Sequence, residues 1–512
     1  MLKRALLSCH DKTGLETFAG GLVQLGIELI ASSGTAAFLK QHGLAVRTVE
    51  EFAGVTEQLD GRVKTLHPRL HAGILARRDD PDHVKAVGEA GLIDLVVVNL
   101  YPFEETVRQP SATLAQALEQ IDVGGVALLR AAAKNFSDVI AVSSPQQYAT
   151  VLDALRRSQG QVSETLRRDL AMAAFALTSR YDRQVTLYLG HGQRPADVPA
   201  SLMTIQAHAQ QDVRYGENPH QRGGWYVPVS GQPEGLARLL QRQGKALSYN
   251  NLLDVDAAVR CLLDFEDPTC VVVKHASPCA IASASTMDEA YRRAYDSDAE
   301  SAFGGIVGLN RALDVAAATQ MSASFFEVIL APSIKPEALA MLAKKPNLRV
   351  LELALQAPSS TWKEWRSVLG GWLVQEPDLA VLDEASLRVV TRKQPSDEER
   401  RDLLFAWRAV KHVKSNAIVV AKDRASVGIG QGQPSRVRAV RLALQNAAGR
   451  ARGAVLASDG FFPFPDAIEV AAQAGVAAII QPGGSVKDAE VMAAADAAGL
   501  AMLFTGMRQF RH

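Results

Sequence analysis

The chain has 512 residues, enough for roughly two to four domains, with 47% hydrophobic and 21% charged residues. That mix builds sizeable cores and excludes a peptide-like or disordered reading. Lys+Arg and Asp+Glu number 55 each, so the formal net charge is 0, which excludes the overall basic footprint of a nucleic-acid binder and leaves only local basic pockets.

In chain order, short apolar runs alternate with helical patterns from the start. Ala5–Leu7, Ile27–Ala31 and Val46–Thr48 read as strands, Leu15–Leu25 and Ala36–His42 as helices, a βαβαβ signature. Leu95–Leu100 and Val139–Val142 are continuous apolar runs of strand length, the pattern of parallel strands buried on both faces, with helices at Leu114–Glu119 and Ala127–Ala133. Residues from about 145 to 189 read as helical and end in Gly190–Pro199, taken as the domain boundary. Beyond it, Val271–Val273, Ala417–Ala421, Ala454–Ala457, Val476–Ile480 and Leu500–Phe504 read as strands. Asp288–Tyr295, Ala467–Ala474 and Val486–Ala498 read as helices. One or two further α/β sheets are expected, with Ala331–Pro346 as the linker between two subdomains.

The apolar stretch after Lys3 and Arg4 stops at His10, too short for a secretory signal, and no window reaches about 18 uninterrupted apolar residues. Cys9, Cys261, Cys270 and Cys279 lack C-x-x-C spacing and read as buried thiols of a reducing compartment, which points to the cytoplasm.

Several strings gather chemistry. Ser32-Ser33-Gly34-Thr35 follows a strand and opens a helix, so its N–H groups form a phosphate cradle with Lys12 nearby, or else a plain helix cap. Gly61–Pro68 packs Arg62, Lys64 and Thr65 as an anionic ligand requires, although solvated charges would read the same. His67 and His71 stand four apart, but Pro68 disfavours the helix that would align them on a metal. Tyr101, Asp122, Gly124, Gly125 and Lys134 lie near strand or helix ends where α/β sheets bind ligands. Lys274-His275 follows a strand and offers two titratable groups for proton transfer; a surface dipeptide is the plain alternative. Ser277-Pro278-Cys279 invites a zinc-deaminase reading that fails because position 282 is Ala282 and no H-x-E string precedes it. Gly428-Ile429-Gly430-Gln431-Gly432 has Gln433 where a dinucleotide fingerprint needs glycine and reads as a turn. Arg214–Gln221 and Ser458–Phe464 concentrate polar and aromatic groups suited to a flat heteroaromatic anion.

Taken together, these strings resemble the bifunctional purine-biosynthesis family that joins inosine monophosphate (IMP) cyclohydrolase to 5-aminoimidazole-4-carboxamide ribonucleotide (AICAR) formyltransferase. In the first part the resemblance rests on Asp11-Lys12-Thr13-Gly14, Ser33-Gly34-Thr35-Ala36, Gly61–Pro68, Asn99–Phe103 and the run from Asp122 to Asn135. In the second it rests on Arg214–Gln221, Asn251–Asp254, Lys274-His275, Ser301–Gly305, Lys414–Ala417, Ser458–Phe464 and Met507–Phe510. It implies an α/β protein: a methylglyoxal-synthase-like parallel-sheet domain over 1–199, and over 200–512 two cytidine-deaminase-like α/β subdomains lacking zinc, with a break near 331–375. It implies formyl transfer from 10-formyltetrahydrofolate to AICAR, then cyclodehydration of the product to IMP. It further implies a homodimer with the transferase site between subunits, nucleotide and folate as small-molecule partners, no membrane or nucleic-acid partner, no metal, and room for a monovalent cation.

By the same resemblance Lys274, His275 and Asn416 act in transfer, and Arg214, Tyr215, Asn251, Phe461, Asp466 and Arg508 surround nucleotide or folate. Lys12, Ser32, Gly34, Thr35, Arg62, Thr65, Gly124 and Gly125 hold the nucleotide of the first domain, where Lys64, Tyr101, Asp122 and Lys134 assist proton movement. The chain departs from the family at His10, where a small hydroxyl residue is usual, and at Ala280, where glycine is usual. Two rivals are a lyase like methylglyoxal synthase, which leaves about 310 residues unexplained, and a non-catalytic nucleotide sensor, against which Lys64, Lys134, Lys274 and His275 argue.

Overall fold

A computed structural model describes residues 2–54, 59, 62–109, 111–158, 160–190, 205, 207–229, 233–359 and 362–512; Gly61 and positions 191–199 of the expected boundary lie outside them. The chain divides into two units, Met1–Leu202 and Met203–His512.

The first unit is built on a five-stranded sheet in the order Arg47–Thr48, Glu28–Ala31, Arg4–Cys9, Leu95–Asn99, Ile140–Val142, with every pairing parallel. Successive side chains alternate between two buried faces. Ala5, Leu7, Val97 and Val142 pack against the helices Leu15–Gln24 and Tyr148–Arg157. Leu6, Val96, Val98 and Ala141 pack against Pro68–Leu75 and Gly124–Lys134. Burial on both faces is why these strands read as unbroken apolar runs. Pro68 does not break a helix here: it occupies the first helical position, where its missing N–H costs nothing, and His67 caps the helix by accepting the Arg69 N–H at 3.2 Å. The loops after Cys9, Ala31 and Asn99 all leave the carboxyl ends of parallel strands, where α/β sheets bind ligands.

Of the one or two further α/β sheets expected, the second unit holds one, a twelve-stranded mixed sheet, beside two two-stranded hairpins. One half runs outward as Ser277–Ser283, Thr269–Lys274, Ile306–Leu309, Val328–Ala331, Arg349–Glu352, Leu240–Gln243; the other as Ala425–Gly430, Ile418–Lys422, Val455–Ser458, Ala478–Gln481, Ala501–Phe504, Arg388–Val389. Each half is an antiparallel hairpin, three mutually parallel strands and an antiparallel edge strand. The halves join antiparallel at Ala282 and Ala425. The order of strands and helices along the chain is also the same in both, apart from the extra short helix Ala299–Ala302 in the first, so the unit is an internal duplication.

Ala331–Pro346 is therefore not a linker. It forms the end of a strand and the helix Pro336–Leu342 inside the first half, with Pro336 at a helix start; the hairpin Glu364–Val368 and Gly371–Gln375 lies between the halves. Gly428 and Gly430 are not a turn either. They lie in the strand Ala425–Gly430, and a Cβ on either would strike the carbonyl oxygens of Ala443 or Ala439, so glycine lets the helix Arg436–Ala447 press against the sheet.

Candidate active sites

In the first unit the loop His10–Lys12 is tied by Asn99, whose Oδ1 accepts the N–H groups of His10 (2.6 Å) and Asp11 (2.8 Å) and whose Nδ2 donates to Asp11 O (2.8 Å). Lys12 turns back to donate to the Cys9 carbonyl and reaches the Thr35 hydroxyl at 3.5 Å. Burial lowers its ionisation below the ordinary lysine value. Ser32 and Thr35 are buried with their hydroxyls 3.4 Å apart, and Thr35 also accepts the Cys9 N–H at 3.1 Å. The helix Ser33–Gln41 starts here without a side-chain cap, and space around Gly34 is open. Uncapped N–H groups, an ammonium and an open glycine together suit a phosphate.

A second cluster surrounds Asp122, which accepts the Gly125 N–H at 2.6 Å and the Tyr101 N–H, while its own N–H goes to the Tyr181 hydroxyl at 2.7 Å. Burial raises the Asp122 carboxyl above its ordinary value despite these donors and His10, which suits a group that exchanges a proton. A Cβ on Gly124 would collide with Thr65, and one on Gly125 with the Asp122 carboxylate, so both glycines are required by close approach. Thr65 is buried and Lys64 beside it half-buried, whereas Tyr101 is 44% exposed. The His10 ring meets Tyr101 edge-on at 5.5 Å, filling space a small hydroxyl residue would leave.

Two expected residues stand apart. Arg62 is exposed and ion-paired with Glu119. Lys134 ends the helix that Gly124 begins, about 15 Å along its axis at 1.5 Å per residue, so within one chain it does not join Asp122 and Thr65.

In the second unit Lys274 closes one strand, and His275-Ala276 form a two-residue turn with φ of 57° at both positions before Ser277 opens the next. Such turns favour Asn-Gly, and a left-handed conformation costs other residues about 1–2 kcal/mol each. The turn is held by Asp254 of the helix Tyr249–Leu262, whose carboxylate accepts Ala276 N–H at 2.5 Å and His275 N–H. Burial raises Asp254 above its ordinary value, against the pull of the turn N–H groups, His275 and Lys414. The His275 side chain is left exposed, and Lys274 Nζ donates to Phe303 O at 3.0 Å.

Asn416 enters from the other half. The Ser277 hydroxyl donates to Gln431, and Gln433 O accepts from both the backbone N–H (3.2 Å) and Nδ2 (2.7 Å) of Asn416. Arg436 donates to Asn416 Oδ1 at 2.8 Å and is ion-paired with fully buried Asp459, so the amide is oriented at both ends. The Ser415–Asn416 peptide is cis. Gly460 packs against Arg436 and Phe510, which places exposed Phe461 and Arg508, the latter over the Phe510 ring at 4.3 Å, on the same framework. Asp466 is exposed at a helix start beyond it. Arg214 stacks on Tyr215 at 4.6 Å, and their loop meets the first half where Asn250 donates to Glu217 O at 3.3 Å. Asn251 is buried, committed to a capping box with Ser248.

Asp254, Arg436, Asp459 and Asn99 thus order the sites without having been singled out as site residues. Asp254 carried a readable signal, lying one helical turn beyond Asn251; the Arg436–Asp459 pair, 23 positions apart, carried none. Ala280 is buried in its strand and is not among the positive-φ residues, so a side chain there is tolerated. Burial pushes the Cys279 thiol up to about 12, making it inert, and among the described residues no three His, Cys, Asp or Glu gather as a metal set.

Two family descriptions match the chain: "MGS-like domain" over residues 14–127 and "AICARFT/IMPCHase bienzyme" over residues 132–446. Bifunctional purine biosynthesis proteins PurH from Bacillus cereus (strain AH820), Bacillus anthracis and Bacillus thuringiensis (strain Al Hakam) are each 46% identical over 514 residues, covering 100% of both chains. A solved structure described as the crystal structure of ForH is 39% identical, covering 38% of this chain and 100% of that one, with a TM-score of 0.35. The chain belongs to the AICARFT/IMPCHase bienzyme family.

Proposed function

We propose that formyl transfer is carried by residues 200–512 and ring closure by residues 1–199 of this bifunctional enzyme of purine biosynthesis. The chain has AICAR formyltransferase and IMP cyclohydrolase activities, and 10-formyltetrahydrofolate is the formyl donor. The observation that carries the assignment of transfer is the Lys274-His275 turn, anchored by Asp254 and followed by Ser277, which donates to Gln431 of the other half, where Gln433 and Arg436 orient the Asn416 amide.

In transfer, the 5-amino nitrogen of AICAR forms a bond to the formyl carbon, and the bond from that carbon to the folate N10 breaks. The amine is conjugated with the imidazole and is a weak nucleophile, so His275 removes its proton as attack develops. Lys274 stabilises the tetrahedral oxyanion or protonates departing N10, and Asn416 fixes the substrate with its oriented amide. Closure then joins the carboxamide nitrogen to the formyl carbon with loss of water. It is intramolecular, so orientation supplies much of the acceleration. In this reading Lys12, Ser32, Gly34 and Thr35 bind the phosphate, Lys64, Tyr101 and Asp122 manage protons, and Lys134 enters by family resemblance alone.

A homodimer with the transferase site between subunits, a bound monovalent cation and a cytoplasmic location belong to the same reading; sedimentation at working concentration tests the first. Residue roles are tested by crossed variants. His275→Ala should lower transfer about 100- to 10,000-fold, leaving a measurable remainder, with closure of supplied formyl-AICAR intact, and Lys64→Ala should lower closure and spare transfer. Equal loss of both activities in either variant would contradict the division.

A further inference from the structure

The two halves of the second unit hold their central turns with the same device, and only one turn bears a histidine. Asp254 is the sixth residue of its helix (249 to 254), and Asp402 is the sixth of Asp397–Val410 (397 to 402). Both helices begin at a serine N-cap with a capping box. Asp254 accepts the N–H groups of His275 and Ala276; Asp402 accepts those of Asp423 and Arg424, each at 2.7 Å. Both turns are two residues long, with non-glycine residues at positive φ: 57° and 57° in one, 52° and 58° in the other. The strand before each turn ends in lysine, Lys274 or Lys422. What differs is the cargo: one clamped turn presents His275, the other Asp423.

We propose that Asp254 is the positioning residue of formyl transfer, its carboxylate fixing the backbone that aims His275 at the reacting amine. The inference rests on the assignment of His275 as the transfer base. Asp402 is its internal control, since it makes the same bonds for a turn that carries no such ring. If the clamp served folding alone, loss of either carboxylate would have the same consequence.

The experiment compares Asp254→Ala, Asp254→Asn and Asp402→Ala in the full-length protein, with transfer followed by tetrahydrofolate release. All five tryptophans (225, 362, 365, 372 and 407) lie in the second unit, so their fluorescence reports its unfolding. Asp254→Ala should lower the transfer kcat about 100-fold, the scale of roughly 1 Å of misplacement, with the AICAR KM unchanged. Asp254→Asn, which keeps one acceptor oxygen, should recover part of that loss. It also serves as the test variant if the alanine protein does not fold. Asp402→Ala should destabilise the unit comparably yet retain transfer at temperatures where it is folded. Adding Asp254→Ala to His275→Ala should cost nothing further. Equal losses of kcat in the Asp254 and Asp402 variants, or a full additional loss in the double variant, would overturn the proposal. Near-normal transfer by His275→Ala alone would instead remove the assignment beneath it.

Discussion

Asn99 and His10 show how one site divides work between backbone and ring. The Asn99 side chain makes three hydrogen bonds to the loop that carries Lys12, whereas His10 contributes a ring contact to Tyr101. Each such hydrogen bond at a solvent-exposed loop contributes about 0.5–1.5 kcal/mol, and three of them fix the loop, so Asn99→Ala should slow closure more than His10→Ser does. Steady-state closure of supplied formyl-AICAR by the two variants checks the order. In the second unit, Arg436 and Asp459 are almost wholly buried, with side-chain exposures of 6% and 0%. Arg436→Met strands the carboxylate and should cost about 3–5 kcal/mol, read from urea denaturation by tryptophan fluorescence. The candidates that sequence exposes at this scale are those in compact strings, such as Lys274-His275. Residues that aim them through contacts across the fold, such as Arg436 and Asp459, are legible only once helix and strand are placed together.

Strands and helices of the parallel layers are the most legible elements. Leu95–Asn99 and Val455–Ser458 are buried on both faces, which leaves continuous apolar runs, and Gly475 and Gly499 mark where helices stop. The hairpin Ala207–Val213 and Gly223–Pro228 buries one residue in each strand, Val213 and Val227, so no period-2 apolar signal announces it. Gly428 and Gly430 mislead for another reason: glycine is a turn signal in sequence, but here it permits a helix to approach a strand. Gly430→Val should therefore destabilise the second unit by about 1–3 kcal/mol or prevent its folding, whereas Gly34→Ala, facing open space at φ in the ordinary range, should leave stability of the first unit unchanged. Thermal unfolding by circular dichroism separates the two outcomes. The resemblance implies two like subdomains, but the residues alone do not show the repeat, because Lys274-His275-Ala276-Ser277 and Lys422-Asp423-Arg424-Ala425 share one residue type in register; what repeats is the topology and the carboxylate beneath each turn.

For the molecule as a whole, one buried pair sets a pH response. His412 is buried, and burial pushes its ionisation below the ordinary histidine value even though its Nε2 lies 2.7 Å from Asp264. Burial raises Asp264, but His412 and Lys411 outweigh it and hold the carboxyl below its ordinary value. The unfolded chain takes up a proton at histidine near pH 6.5 that the folded state refuses, so stability present above that pH is lost as pH falls through it; Asp264 adds a loss of the same sign below about pH 4. Tryptophan-detected urea midpoints should fall between pH 7 and 5, and His412→Asn should flatten that slope.

The central claim, two consecutive reactions on one chain, is tested most directly by incubating the purified protein with AICAR and 10-formyltetrahydrofolate and resolving the products by chromatography. The account predicts IMP. Accumulation of formyl-AICAR without IMP would contradict the closure site, and no product from folded protein would contradict the account altogether.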